Sequence, residues 1–341
     1  MAVDSKIEWT DATFNPWIGC TRVSPACDHC YAAVSTPART LGVEWGPHAE
    51  RRRTSPGNWR TPIRWNAQHD AFFAEHGRRR RVFCASLADV FDNAVNPYWR
   101  ADLFDLIEQT PNLDWLLLTK RIGNVLPMIE DMAARRFDLE CLHEPRLPDN
   151  VWLGATIANQ PEADRDIAKL LAVPARVHFL SMEPLLGPVV LPRFCACGCN
   201  KPVEQAVREA MDGPSALNRY QAEADIRTTL GIDWVIVGGE SGHDARPMHP
   251  DWVRSLRDQS IPAGVPFLFK QWGEWCPRGP ESMGYPLVDG VPRVRLTDAG
   301  DNGQQLGARG DSDCWMNRAG KAASGRLLDG RTWDEFPAVG S

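Results

Sequence analysis

The chain has 341 residues, a formal charge of −6, 24% charged and 43% hydrophobic residues. That length suits one large domain or one domain with insertions, in the composition range of ordinary globular proteins. The net negative charge excludes a protein that coats nucleic acid non-specifically, though not one that takes a single nucleotide into a pocket.

No run of about 18 apolar residues is present to span a membrane. The opening MAVDSKIEWTD lacks a signal-peptide core, so the expected location is the cytoplasm. In a reducing compartment, ten cysteines argue for thiolate or metal chemistry over a disulfide framework.

Residues 1–19 read as an extended entry, with Phe14, Trp17 and Ile18 leading into a cysteine loop and Pro16 and Pro25 opposing helix. The loop holds Cys20, Cys27 and Cys30 at C-x6-C-x2-C spacing. Three thiolates from one short loop cannot all pair with one another, but they can hold a metal or a cluster. Three ligands also leave one coordination place of a [4Fe–4S] cluster open to a small molecule. Residues 32–80 read as irregular, with arginine runs at Arg51–Arg53 and Arg78–Arg81 and singles at Arg60 and Arg64. These runs are either a solvated face or a phosphate-contacting rim.

From residue 82 short apolar runs alternate with amphipathic stretches. Strands are predicted at 82–86, 115–119, 151–157, 176–181, 234–237 and 266–269, and helices at 98–109, 125–136, 163–171 and 252–258. Apolar strands separated by helices predict a parallel sheet buried on both faces. With the strand before the cysteines there are about seven units, one short of a closed barrel, so the expected fold is α/β, an incomplete parallel (β/α) barrel.

Polar residues follow the strand ends: Asp89 and Asp92, Lys120 and Arg121, Thr156 and Asn159, Glu183, Glu240 and Ser241, Lys270 and Gln271. In a parallel barrel these ends converge on one mouth, where active sites are built. Each residue taken singly has a plainer reading as a helix cap or a rim salt bridge. The 14 tryptophans read as core packing or as a stacking surface for a base. Residues 190–230 interrupt the rhythm as an insertion, in which Cys195, Cys197 and Cys199 either hold zinc or stay unmetallated. The barrel domain is expected over 1–275, and 276–341 reads as a loop-rich extension.

The stretch from Ile7 to Tyr31 resembles a phage and prophage family named for its three-cysteine motif and related to radical S-adenosylmethionine (SAM) enzymes. The likeness continues in Ser86–Asp92, Leu118–Arg121, Phe179–Pro188, Trp234–Gly242, Phe269–Gly273 and Gly320–Gly330, covering most of the chain. Its first cysteine gap has six residues where the usual radical SAM motif has three. The resemblance implies a radical SAM barrel with a [4Fe–4S] cluster on Cys20, Cys27 and Cys30 and SAM as cofactor. It places His29 near the adenine, Ser86 and Asp89 at the SAM amino group, and Thr156 and Asn159 at the ribose. Lys120, Glu183, Glu240 and Lys270 are the catalytic candidates. A remote likeness to spore photoproduct lyase, with the phage association, implies a nucleobase substrate. A decorated thymidine in phage DNA, rearranged to evade host nucleases, is the concrete case, with a flavodoxin or ferredoxin as electron donor. Two other readings stand beside it. One is a zinc-stabilised binding module in which His29, Cys84 or another histidine completes the site. The other is a barrel hydrolase using Asp89, Asp92 and Glu183 with a divalent metal.

Overall fold

Seven parallel strands pair in chain order to form one sheet: β1 (Ala12–Phe14), β2 (Arg80–Cys84), β3 (Leu113–Thr119), β4 (Val151–Thr156), β5 (Val177–Met182), β6 (Trp234–Gly238) and β7 (Phe267–Gln271). The computed structural model describes residues 5–136, 146–195, 202–212, 228–279, 290–300 and 313–338. Helices α1 (Pro97–Glu108), α2 (Val125–Arg136), α3 (Gln160–Leu171) and α4 (Pro250–Ser260) connect the strands. The starts of three helices follow from local sequence. Asn96, Asn159 and His249 each accept a backbone N–H of the first turn, and a proline sits at the first or second helical position. The strands match the predicted runs because each is apolar on both faces; β4 is buried at every residue.

Aromatic packing shows that the sheet curls. Alternate residues point inward, and Phe83, Leu116, Trp152, Phe179, Trp234, Ile236 and Leu268 form one inner cluster with Trp9. Trp9, just before β1, lies 6.2 Å from the ring of Phe179 on β5. Four strand spacings in a flat sheet would separate them by about 19 Å. The sheet is therefore a half-barrel filled with side chains. At Gly154 on β4 an added Cβ would stand 2.3 Å from the Phe179 ring, so glycine there makes room for the ring that fills the interior.

Trp17, Trp115, Trp152, Trp234 and Trp272 are all at or below 1% exposure, which assigns them to the core and removes them as a stacking surface. Residues 32–80 are less irregular than expected. They contain helices at Pro56–Trp59, Thr61–Ala67 and His69–His76, and the prolines start the first two of these helices. The arginine runs do not rim the mouth. Arg51 is buried on Asp92, Arg53 pairs with Asp102 and Arg78 with Asp11. Arg81, near the start of β2 and so at the far end of the barrel, lies over the Phe336 ring at 4.1 Å.

The C-terminal part is more than a loop-rich cover. It forms a three-stranded antiparallel sheet from Cys276–Pro277, Cys314–Asn317 and Arg293–Leu296. It then returns to the outer edge of β7, where Phe269 N donates to Trp333 O at 2.9 Å and Glu335 N to Phe267 O at 3.3 Å. That pairing covers an edge that would otherwise present unpaired backbone groups.

Asp329 fastens this segment to α4, accepting from Arg254 Nη2 and Arg257 Nη1 at 2.7 Å each. Burial pushes its carboxyl up, but the bonds from Arg254 and Arg257 outweigh burial and hold it below the ordinary value. The lowered pKa means that the unfolded chain binds the proton more readily. The pairing therefore contributes fully above about pH 4, the unfolded value, and fades as pH falls through the folded one. The melting temperature of wild type is expected to exceed that of Asp329→Asn at neutral pH. The gap should close as the pH is lowered toward about 3; a pH-independent gap would rule out the ionic contribution.

Candidate functional site

The inner face turns from apolar to polar toward the C-terminal strand ends. Period two carries Leu116 and Leu118 to Lys120, Trp152 and Gly154 to Thr156, and Phe179 and Ser181 to Glu183. A cavity of about 400 Å³ opens there, within the range of small-molecule sites. Cys20, Cys27, Cys30, His29, Ser86, Asp89, Lys120, Glu183, Glu240 and Lys270 all line it. Thr156 is buried and accepts from Lys120 Nζ at 3.3 Å, and it is not among the lining residues. Asn159 does not line the cavity either. Its side chain caps α3 through Glu162 N at 3.1 Å, the plainer role open to a residue at this position.

The cysteine loop is tied down on several sides. Gly19, at φ +111°, turns the chain while its N–H donates to Leu87 O at 3.1 Å. Ser24 caps the 3-10 turn Pro25–Cys27 and donates to Glu162 Oε1 at 2.6 Å. Arg246 donates to Pro25 O at 2.9 Å and to Asp28 Oδ2 at 3.1 Å. His29 Nδ1 lies 3.1 Å from Glu240 Oε2, and Tyr31 donates to Ser86 O at 3.0 Å. All three cysteines are free thiols. Burial and then Asp89 push the Cys20 thiol up to about 11, against the pull of Arg121, so ligation there must release a proton. Among the described residues no three His, Cys, Asp or Glu side chains converge on one metal ion. A cubane cluster does not need such convergence, because its thiolates sit on different irons.

Beneath the loop lies a buried network of ions. Asp89 accepts four hydrogen bonds, from Phe91 N (2.9 Å), Thr119 Oγ1 (2.8 Å), Lys120 N (3.1 Å) and Arg121 Nη1 (3.0 Å). Those bonds fill the accepting positions of a carboxylate, so Asp89 holds the wall of the site together. Arg121 continues to Cys20 Sγ at 3.4 Å and Thr21 O at 2.6 Å. Arg51 Nε donates to Asp92 Oδ2 at 2.8 Å and its Nη2 to Thr21 Oγ1 at 2.6 Å.

On the opposite wall Glu183 receives Lys270 Nζ at 2.8 Å on each oxygen and Gln271 Nε2 at 3.2 Å. Consecutive residues of a regular strand point to opposite faces. Here the register slips between Val237 and Gly238, which face Phe269 and Gln271, and the extra residue Lys270 lets both side chains reach Glu183. Gly238 leaves the space, since a Cβ there would stand 3.2 Å from the Glu183 side chain. Gly239 and Gly273 let the chains after β6 and β7 touch; a Cβ on Gly239 would lie 1.9 Å from Trp272 O. Burial pushes the Glu240 carboxyl up, but bonds from Arg246 and His29 leave it below its ordinary value.

Residues 4–337 match the model of a family described as a protein of unknown function (DUF5131). The chain belongs to that family. No curated protein and no solved structure matches it. In this DUF5131 chain the sequence reading missed Glu162, Arg246 and Lys321, and it took Arg51 only as part of an arginine run. For Glu162 a signal existed: Asn159-x-x-Glu162 is a capping-box spacing. The others act across long sequence separations that no local pattern reports. Cys197 and Cys199 lie outside the described residues, as does the side chain of Cys195, so the proposed zinc knuckle does too.

Proposed function

We propose that this chain is a radical SAM enzyme that holds a [4Fe–4S] cluster on Cys20, Cys27 and Cys30. Its proposed reaction is a rearrangement on a nucleobase, a modified thymidine in DNA being the concrete case. One observation carries the reading: three unpaired cysteines of one loop open onto the same cavity as the polar strand ends of a parallel half-barrel. The donor set fits, since three thiols from one anchored loop line that cavity and would leave one iron of a cluster open to a small molecule.

With an electron donor of the flavodoxin or ferredoxin class, a cluster held by Cys20, Cys27 and Cys30 would supply one-electron reduction of SAM and so radical chemistry on the substrate. The chain's own residues orient and shield. Glu240 and Arg246 pin the loop, and Arg121 donates to Cys20 from below. Glu183, held by Lys270 and Gln271, offers a fixed carboxylate for an ammonium or hydroxyl group. A base within duplex DNA must leave the stack to enter so enclosed a mouth.

The zinc-module reading has less support: among the described residues no three His, Cys, Asp or Glu side chains group to hold one metal ion, and Cys84 is fully buried in the outer core. The hydrolase reading has less support, since arginines hold two of its three carboxylates, Asp89 and Asp92. Anaerobic reconstitution with iron and sulfide, followed by dithionite and SAM, is expected to yield 5′-deoxyadenosine. Iron-loaded protein that produces none would overturn the proposal.

A further inference from the structure

We infer that Lys120 and Lys321 form an oxyanion subsite in this cavity, and that the substrate bears a phosphate or carboxylate group there. The acids facing the cavity are already matched. Asp89 pairs with Arg121, Glu183 with Lys270, and Glu240 with Arg246 and His29. Lys120 and Lys321 line the same cavity, and among the described residues neither has a carboxylate partner. The part-buried Lys120 ammonium has one hydrogen bond, to the neutral Thr156 hydroxyl at 3.3 Å, while its backbone N is fixed by Asp89. A partly desolvated cation without a counter-charge is costly, and an anionic ligand offsets that cost. The excess is local, because the whole chain carries −6.

Lys321 arrives from the C-terminal segment. Gly320, at φ +84°, turns the chain there, and its N–H donates to Glu274 O at 3.0 Å. Two point-charge ammoniums suit an oxyanion without demanding the planar fork that arginine provides. The inference rests on the radical SAM reading in one respect: an oxidised cluster on three thiolates is a net monoanion and SAM a net monocation. They cancel each other and leave both lysines for the substrate.

The test uses the full chain, reconstituted anaerobically, with iron measured in every sample. Calorimetric titration is run with thymidine 5′-monophosphate, thymidine, glutamate and SAM. Lys120→Met and Lys321→Met are each expected to weaken one oxyanion probe about tenfold, the scale of one lost charged hydrogen bond. Lys120→Arg should retain most of the affinity, and thymidine and SAM should bind all variants alike. A loss confined to the nucleotide identifies phosphate as the group recognised, and a loss confined to glutamate identifies carboxylate. Oxyanion binding unchanged in both methionine variants overturns the subsite, as does a Lys120→Met loss that appears in SAM binding instead. The exposed Lys321 gives a variant that does not threaten folding. Lysine-dependent binding in protein that takes up no iron would keep the subsite and retire the cofactor reading. Iron-loaded protein with lysine-independent binding would do the reverse.

Discussion

Cys27→Ala is expected to lose iron and SAM cleavage together, from about four irons per chain to near background. Cys27 ends the capped 3-10 turn and is buried at 7% exposure, so its thiol is held in place before any metal arrives. Removing one of three protein ligands leaves a cubane with two unprotected irons, which does not survive in water. The change itself deletes one sulfur from a loop whose anchors are Ser24, Arg246 and Tyr31, so the circular dichroism spectrum should stay that of wild type. Cys84→Ala is the control. Its thiol faces the outer core, where burial alone raises its pKa, and this variant should bind iron like wild type. Full iron and full SAM cleavage in Cys27→Ala would dismiss the cysteine loop as the cofactor site.

Asp89→Ala is expected to lower unfolding free energy by about 3–5 kcal/mol, the cost of breaking a buried ion pair on one side. Asp89 and Arg121 are each 7% exposed in their side chains. Without the carboxylate, the Arg121 guanidinium, the Thr119 hydroxyl and the Phe91 and Lys120 N–H groups all lose a partner. Urea denaturation should show a lower midpoint with an unchanged slope. Iron loading should also drop, because Arg121 supports both Cys20 and Thr21. Asp89→Asn, which keeps two acceptor positions but loses the charge, should fall between the two. A variant of full stability that had lost only SAM binding would show Asp89 to be a direct ligand, against the geometry.

Much of the framework was legible because the strands are buried on both faces. Val151 to Ala155 and Trp234 to Gly238 read as unbroken apolar runs, and Glu240, just after the second, lies at the mouth. The three-cysteine loop was legible for a similar reason, since its spacing is local. Roles were harder to read. Asp89 looks like a cofactor ligand in sequence, yet four hydrogen bonds consume it. Asn159 looks like a ribose contact, yet it caps a helix. The bulge that sends Lys270 and Gln271 to one carboxylate has no local sequence signal, because register depends on the neighbouring strand. The arginine runs showed their charge but not their partners: Arg53 reaches Asp102 on α1 and Arg78 reaches Asp11 before β1. The family match covers nearly the whole chain and leaves the chemistry to be argued from the cavity.

The bonds that fix the cysteine loop span 138 residues from Ser24 to Glu162 and 221 from Pro25 to Arg246. Contacts of such separation form only after the intervening chain has closed on itself. In a zinc finger the metal nucleates folding. On the proposed reading the order of events is inverted: the scaffold assembles first, and a cluster would enter a finished socket.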